Sequence, residues 1–273
     1  MTTANINGVR LFYESTGSGE TSLVLVHGSW SSHETWRLVL PKLAESFRVV
    51  AFDRRGHSAT ERPEAQGSVH DDVADLAALI EHLGLGPTWV AGNSFGGSIT
   101  LRLAAQRPDL LRGVIAHEPP LLSLLADNRE MEPLLVAVRE RIAAVVDRIV
   151  SGDHAGAAEQ FVETVALGPG AWAQLPPEAQ QIMIVNAPTF LDEANDPDQL
   201  AIDLGGLAGF PKPALLTKGS LSPPMFAPIV DQIATAMRAA DLHVFPTAGH
   251  IPHVTHPEDY VVAIRGFIGA QAM

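Results

Sequence analysis

One short pattern constrains the fold of this chain more than any other: Gly-Asn-Ser-Phe-Gly at residues 92–96. The apolar residues 88–91 before it are typical of a buried strand, and residues 98–105 after it have helical periodicity. A glycine two residues to either side of Ser94 permits a sharp turn, because larger side chains there would collide with neighbouring backbone. The pattern therefore predicts a strand–turn–helix unit that presents the Ser94 hydroxyl at a strand end, beside a helix N-terminus.

Apolar runs alternate with helical patterns on both sides of this unit. Further strands are predicted at residues 23–26, 48–52, 111–116, 214–217 and 242–245, and further helices at residues 35–46, 69–83, 225–240 and 257–268. The Asn7-Gly8 pair between β-prone segments predicts an N-terminal hairpin. Strand–helix alternation favours parallel pairing, so we predict an α/β fold with a mostly parallel, doubly wound sheet that binds ligands at its carboxyl edge.

The alternation stops between residues 121 and 210. This stretch has helical patterns at residues 131–150, 154–167 and 177–193. We therefore predict a helical cap insertion at residues 121–210 on a core domain of residues 1–120 and 211–273. Trp172, Met183 and Phe190 in the insertion are typical of a packed core, and they are also candidates for apolar contacts with a substrate.

The composition restricts the class of function. A net charge of −13 argues against nucleic acid and anionic membranes as partners. The chain has no cysteine, which excludes disulfides, a thiol nucleophile and thiolate metal sites. The N-terminal residues do not have the pattern of a signal peptide, so we expect a cytoplasmic protein, with a homodimer as one possible assembly. We expect no metal either, because the spacing of the C-terminal histidines is not that of a zinc site: His243, His250, His253 and His256.

Three residues are the candidates for nucleophilic catalysis. A serine becomes reactive when a histidine removes its proton and a third group orients that histidine. His250 follows the last predicted strand, as expected for this architecture. Glu118 follows the strand predicted beside that of Ser94, so we predict a Ser94–His250–Glu118 triad. The alternative is a structural role for Glu118 in its loop.

The usual position of the acid, after the predicted strand at residues 214–217, is occupied by Ser222. A hydroxyl cannot carry the charge that stabilises an imidazolium, although Ser222 is still a candidate substrate contact. The next carboxylate along the chain, Asp231, should lie on a helix and point away from the site.

An oxyanion hole requires two backbone N–H donors. We predict Phe95, directly after the serine, and Ser29, in the loop after the first parallel strand. Gly28 would leave room for the substrate there, and Trp30 is a candidate for either pocket lining or packing. The alternative for this loop is an ordinary β-to-α turn.

These motifs together resemble the α/β-hydrolase superfamily. The resemblance rests on His27-Gly28, Asp53-x-Arg55-Gly56, the serine pattern and Gly249-His250, which span nearly the whole chain. It implies the α/β-hydrolase fold. Ser222, in place of an aspartate, and Ser58, in place of a glycine, depart from most relatives. Glu118 in a His-Glu-Pro-Pro segment looks like the branch of zearalenone lactonases, whose triad acid is a glutamate at this place and which open a macrocyclic ester.

The resemblance implies a cofactor-independent serine hydrolase that cleaves an ester or lactone of a fairly apolar small molecule through an acyl-enzyme. Two alternatives remain: a carbon–carbon bond hydrolase of ring-cleavage products, whose serine pattern is similar, and a non-catalytic ligand receptor on the same fold. Relatives that act on epoxides or haloalkanes carry an aspartate where this chain has Ser94.

Overall fold

An eight-stranded sheet organises the computed structural model, which describes residues 2–271. The strands are β1 (Thr2–Ile6), β2 (Val9–Thr16), β3 (Ser22–Val26), β4 (Arg48–Phe52), β5 (Thr88–Asn93), β6 (Leu111–His117), β7 (Ala214–Gly219) and β8 (Ala240–Phe245). Their order is β1-β2-β4-β3-β5-β6-β7-β8. β2 pairs antiparallel with both β1 and β4, and every other pair is parallel. The predicted α/β fold with a mostly parallel sheet is therefore confirmed.

Along the chain, the helices of the described residues connect successive strands or follow the last one. They are α1 (Leu40–Ala44), α2 (Val69–His82), α3 (Phe95–Gln106), α4 (Glu132–Val150), α5 (His154–Phe161), α6 (Pro177–Asn186), α7 (Thr189–Asn195), α8 (Leu204–Ala208), α9 (Phe226–Ala236), α10 (Pro252–Thr255) and α11 (Pro257–Ala270). Short 3₁₀ turns occur at His33–Trp36, Pro108–Leu110, Leu122–Leu125 and Trp172–Gln174, and a π-helical turn at Val162–Ala166 follows α5. Across residues 2–271, no helix combines the length and the apolar character that crossing a bilayer requires.

Burial on both faces explains the continuous apolar runs of the central strands. In β3, Val24 and Val26 belong to an apolar cluster on one face of the sheet, together with residues of α2 and α3. Leu23 and Leu25 belong to a second cluster on the other face, with residues of α11. A strand that packs on both sides has no solvent-facing positions, so its sequence does not alternate between apolar and polar residues.

Prolines account for two corrections to the predicted helices. The predicted helix at residues 35–46 is instead a 3₁₀ turn followed by α1, which has Pro41 in its first turn. The predicted helix at residues 177–193 is divided into α6 and α7, with Pro188 directly before α7. A proline is tolerated in the first turn of a helix. Because it has no backbone N–H, it cannot donate the hydrogen bond that would continue a helix from the turn before it. The predicted helix at residues 225–240 also ends early, at Ala236, because β8 begins at Ala240.

Helices α4 to α8 form a region inserted between β6 and β7. A third apolar cluster joins this region to the loop after β3. It contains Trp30 from that loop, and Val145, Ile149, Ala157 and Phe190 from the inserted helices. The inserted region therefore lies against the carboxyl edge of the sheet, on the side where ligands bind in open α/β sheets.

Candidate active site

Ser94 occupies a strained turn between β5 and α3. Its φ of +55° lies in the left-handed region, which L-residues with a side chain rarely adopt. A Cβ atom on Gly92 would overlap the Gly96 carbonyl, and one on Gly96 would overlap the Val26 carbonyl. The Ser94 N–H donates to the His117 carbonyl at 2.8 Å, which ties this turn to the end of β6. The two glycines are therefore needed for the turn, as the sequence predicts.

His250 lies in the loop between β8 and α10 and contacts Glu118. Its Nδ1 lies 2.7 Å from Glu118 Oε2, within hydrogen-bond distance. The imidazole stacks on Phe226, with ring centroids 4.2 Å apart and an interplanar angle of 15°. His250 and Ser94 line the same cavity. Hydrogen bonding through Nδ1 and stacking on Phe226 thus fix the orientation of the imidazole beside the serine.

Glu118 is fully buried and also has a left-handed backbone, with φ of +44°. Its N–H donates to the Thr217 carbonyl at 3.2 Å, and its Oε1 accepts the Gly219 N–H at 2.7 Å. Burial opposes the charge of Glu118, but the nearby imidazoles of His117 and His250 outweigh it and hold the pKa of the carboxyl well below its usual range. The group is therefore a carboxylate at neutral pH and can stabilise a positive charge on His250.

A second histidine, His117, faces the same carboxylate. His117 Nε2 lies 3.5 Å from Glu118 Oε2, and His117 Nδ1 lies 2.8 Å from Thr217 Oγ1. Burial lowers the pKa of His117, so it is neutral at pH 7. The sequence alone does not place this residue beside Glu118. The left-handed turn at Glu118 brings two consecutive side chains together, which strand alternation would not predict.

Within residues 2–271, these three side chains are also the group that could hold a metal. Ligand-type atoms of His117, Glu118 and His250 lie within 4.8 Å of one another. The 2.7 Å contact between His250 Nδ1 and Glu118 Oε2 has the length of a charge-assisted hydrogen bond, and an ion would have to displace the shared proton. The arrangement fits a histidine–carboxylate pair.

The two other positions considered for the acid do not present a carboxylate to His250. Asp231 is on α9, where its exposed carboxylate pairs with Lys218. Ser222 lies next to Gly219, and its buried Oγ finds no hydrogen-bond partner in the described residues. Neither residue therefore offers a carboxylate to His250.

The loop after β3 approaches Ser94 closely. A Cβ atom built on Gly28 would lie 3.0 Å from Ser94 Cβ, so the glycine permits this approach. Two hydrogen bonds of the His27 ring stabilise this loop. Its Nε2 accepts the Arg54 N–H at 3.0 Å, and its Nδ1 donates to the Gly28 carbonyl at 2.8 Å. Burial lowers the pKa of His27 to about 3, so the neutral ring that these bonds require is the stable form.

A cavity of about 210 Å³ opens onto these residues. Its lining includes the predicted residues Gly28, Ser29, Trp30, Ser94, Phe95, Met183, Phe190 and His250. Trp172 and Ser222, both within the described residues, lie outside that lining. Trp172 instead packs against the cluster that contains Trp30. Most of the remaining lining is aliphatic or aromatic, which suits an apolar ligand.

One buried charged residue of the lining belongs to none of the sequence motifs: Glu193, on α7 of the inserted region. It is 5% exposed, and its Oε1 accepts from Arg54 Nη2 at 2.6 Å. Burial raises the pKa of Glu193 to about 7, although the charge of Arg54 favours the carboxylate. A lone glutamate in a helical pattern gives no sign of such a partner, because Arg54 is far away in the sequence.

The relatives found by comparison with known proteins include an epoxide hydrolase and a methyl ester esterase. A soluble epoxide hydrolase of Corynebacterium sp. (strain C12) is 40% identical over 108 residues, which cover 40% of this chain and 37% of that enzyme. The pimeloyl-[acyl-carrier protein] methyl ester esterase of Sodalis glossinidius is 26% identical over 269 residues, covering 95% of this chain and 98% of the esterase.

Solved structures share the fold along the full chain. The structure of Est816, an N-acyl homoserine lactone degrading enzyme, matches with a TM-score of 0.78 at 20% identity, covering 97% of this chain and 100% of that one. The model of the alpha/beta hydrolase family matches residues 23–264, which include the serine turn, Glu118 and His250. The chain therefore belongs to the alpha/beta hydrolase family.

Proposed function

We propose that this protein is a serine hydrolase that cleaves an ester or a lactone of an apolar small molecule. The observation that carries the proposal is the 2.7 Å contact between His250 Nδ1 and the fully buried Glu118 carboxylate. It lies beside a cavity that also contains Ser94 in its strained turn. A nucleophile, a base and a group that orients the base are the components that acyl transfer requires.

In the proposed mechanism, the Ser94 hydroxyl attacks the substrate carbonyl while His250 Nε2 accepts its proton. Glu118 holds the proton on Nδ1 and stabilises the imidazolium that forms. The Ser29 and Phe95 N–H groups donate to the oxyanion of the tetrahedral intermediate. His250 then protonates the leaving alcohol, and in the second half of the reaction it activates a water that releases the acid from Ser94.

The cavity supports an apolar substrate. Its walls are aliphatic and aromatic, and residues 121–210 would act as the cap that excludes water above Ser94. The reaction as written needs no cofactor. An ester is the substrate named for the Sodalis relative and a lactone for the enzyme of the matched structure, so both classes are reasonable first choices.

The position of the acid supports the zearalenone lactonase branch in particular. Glu118 follows β6, as the triad glutamate does in the enzymes that this sequence resembles. The substrate of the epoxide hydrolase relative is a less suitable choice, because Ser94 lies where such enzymes carry an aspartate. A macrocyclic lactone is therefore the natural substrate class to test beside a simple ester.

The test is hydrolysis of p-nitrophenyl acetate and of a macrocyclic lactone by the wild type and three variants. Ser94→Ala should lose activity by about 10⁴-fold or more, since the nucleophile is removed. Glu118→Gln should lose about 10³- to 10⁴-fold, because an amide can neither hold the correct tautomer nor balance the imidazolium charge. Asp231→Asn, which alters an exposed carboxylate on α9, is the control and should remain within twofold of wild type.

Three outcomes would contradict the proposal. A Glu118→Gln variant with near-wild-type activity would show that Glu118 is not the triad acid and would remove the support for the lactonase branch. A wild type that hydrolyses neither substrate but cleaves a ring-cleavage dienoate would favour the carbon–carbon hydrolase, and one that only binds such ligands would favour a receptor.

A further inference from the structure

A buried ion pair joins the inserted region to the core directly beside the cavity. Arg54, in the loop after β4, is 2% exposed and lies 2.6 Å from Glu193 of α7 through its Nη2. Its Nε also contacts Asp72 of α2, at 3.3 Å. The pair thus connects three elements: the loop after β4, a core helix and a helix of the inserted region.

Both members of this pair lie beside residues of the proposed oxyanion hole: Arg54 beside Phe95, and Glu193 in the same cavity lining as Ser29. The Arg54 guanidinium lies over the Phe95 ring, 4.7 Å from its centroid. The Ser29 hydroxyl lies close enough to Glu193 to favour its charged form and so to lower its pKa. Since Ser29 and Phe95 are the two proposed N–H donors, the ion pair lies next to both of them.

Helix α7 contacts the same loop at a second point. Phe190, one turn before Glu193, packs on Trp30 with ring centroids 5.1 Å apart. Residues three apart share a face of a helix, so α7 presents Phe190 and Glu193 together. Phe190 contacts Trp30, and Glu193 lines the cavity together with the preceding residue, Ser29. Trp30 has a left-handed φ of +64°. The position of α7 therefore determines the position of this loop.

The Arg54–Glu193 pair leaves some of its buried polar atoms without hydrogen-bond partners, which is unfavourable for a contact that only stabilises the fold. Arg54 Nη1 and Glu193 Oε2 are both buried, and neither finds a hydrogen-bond partner within residues 2–271. Burial also raises the pKa of Glu193 to about 7, because the charged form is poorly solvated at this place. Buried, incompletely paired charges of this kind lower stability compared with apolar packing, and they cluster at functional sites.

We propose that Arg54 and Glu193 are positioning residues that set the geometry of the oxyanion hole when α7 is seated on the core. This inference rests on the proposed serine hydrolase function. The pair acts through Phe95 and Ser29 and does not touch the reacting atoms. Its loss should consequently weaken binding of the transition state and leave binding of the ground state almost unchanged.

The test compares Glu193→Gln with Asp192→Asn, a matched control on the same helix. Asp192 forms a separate contact between α7 and the core, with Arg62 at 3.3 Å. Each variant is assayed for kcat and KM with p-nitrophenyl acetate. Each is also titrated with an aryl trifluoromethyl ketone, which adds reversibly to the serine hydroxyl as an alkoxide, and with the corresponding alcohol, which cannot add.

For Glu193→Gln we expect kcat and affinity for the ketone to fall about 10-fold, less than when an oxyanion donor is removed outright. KM and affinity for the alcohol should stay within twofold. Asp192→Asn should change none of the four quantities by more than twofold. Arg54→Gln should resemble Glu193→Gln, and the double variant should lose no more than either single variant, because the two residues act as one unit.

Several results would overturn the proposal. Equal losses in Asp192→Asn would indicate general anchoring of α7. Changes confined to KM and to affinity for the alcohol would indicate that Glu193 contacts the substrate. A third result concerns a wild type that hydrolyses esters and a Glu193→Gln variant that circular dichroism shows to be folded. If that variant is unimpaired in all four quantities, this inference is wrong and the proposed function stands. A wild type without ester hydrolysis overturns the proposed function and this inference together.

Discussion

At the scale of single residues, the carboxylate of this site comes from an unusual strand end. Glu118 reaches His250 from β6, while the position after β7 is occupied by Ser222. The two residues lie on either side of Gly219: its N–H donates to Glu118 Oε1, and a Cβ on it would lie 2.8 Å from Ser222 Oγ. Ser222, the residue at the usual position of the acid, therefore lies close to Glu118.

This proximity predicts that the acid can be moved from one strand end to the other. In the Glu118→Gln background, Ser222→Asp should restore about 10-fold in kcat, because it returns a carboxylate to the neighbourhood of His250. Ester hydrolysis by the single and double variants measures the recovery. Ser222→Asn in the same background is the matched control and should restore nothing; recovery in both would show that charge is not what matters.

In the wild-type background, the same Ser222→Asp change should be harmful. It would place a second carboxylate beside the buried Glu118, and like charges in one buried site disfavour each other. Relative to the wild type at the same pH, we expect a larger loss in the free energy of unfolding at pH 7 than at pH 5, where one carboxyl can be protonated. Urea denaturation of both proteins at the two pH values measures this, and an equal loss at both would place the new side chain in solvent.

At the scale of elements, the N-terminus of α2 is where the inserted region is tied to the core. Ser68 and Asp71 form a capping box, and Asp196 of the inserted region accepts the Val69 N–H at 2.7 Å. Free N–H groups and the helix dipole both favour an anion at this place. The contact gives α2 a capping group that is distant in the sequence.

Asp196→Ala should lower the free energy of unfolding by about 1–2 kcal/mol, since a buried N–H loses its acceptor. Urea denaturation measures the change. Asp198→Ala is the control: its carboxylate pairs with His70 at 2.9 Å, but both side chains are more than half exposed, and such pairs contribute little. Equal losses in the two variants would mean that the capping contact contributes no more to the free energy of unfolding than an exposed ion pair does.

The elements also show what the sequence can and cannot predict. β3 and β6 are predictable because their apolar runs are buried on both faces, and the sheet order then places Glu118 beside His250. The breaks at Pro41 and Pro188 are encoded in the chain, but apolar periodicity continues across them and hides them. The contact between Arg54 and Glu193 is not predictable, because charge alone does not select a partner 139 residues away.

At the scale of the whole molecule, several histidines are buried in their neutral form. Burial lowers the pKa of His27 to about 3, and it also lowers the pKa values of His57, His117 and His253. In the unfolded chain, a histidine binds a proton below about pH 6.5. Below that pH the unfolded state therefore binds protons that the folded state excludes, and folding becomes less favourable as the pH falls.

We predict that the melting temperature falls between pH 7 and pH 5 and that unfolding takes up protons in this range. Each such histidine contributes up to about 1.4 kcal/mol per pH unit, between pH 6.5 and its own folded pKa. Glu193 opposes the trend: burial raises its folded pKa to about 7, above the ordinary value for a glutamate, so its protonation stabilises the folded state as the pH falls through 7. Calorimetry in buffers of different ionisation enthalpy measures the proton uptake.

Two variants separate the opposing contributions to this pH dependence. Glu193→Gln should steepen the fall in melting temperature, because the group that gains a proton in the folded state is gone. His253→Gln should make the fall shallower, because one of the histidines that the folded state holds neutral is removed. A wild-type melting temperature that is constant or rises on acidification would contradict the assignment of these histidines as neutral in the folded state.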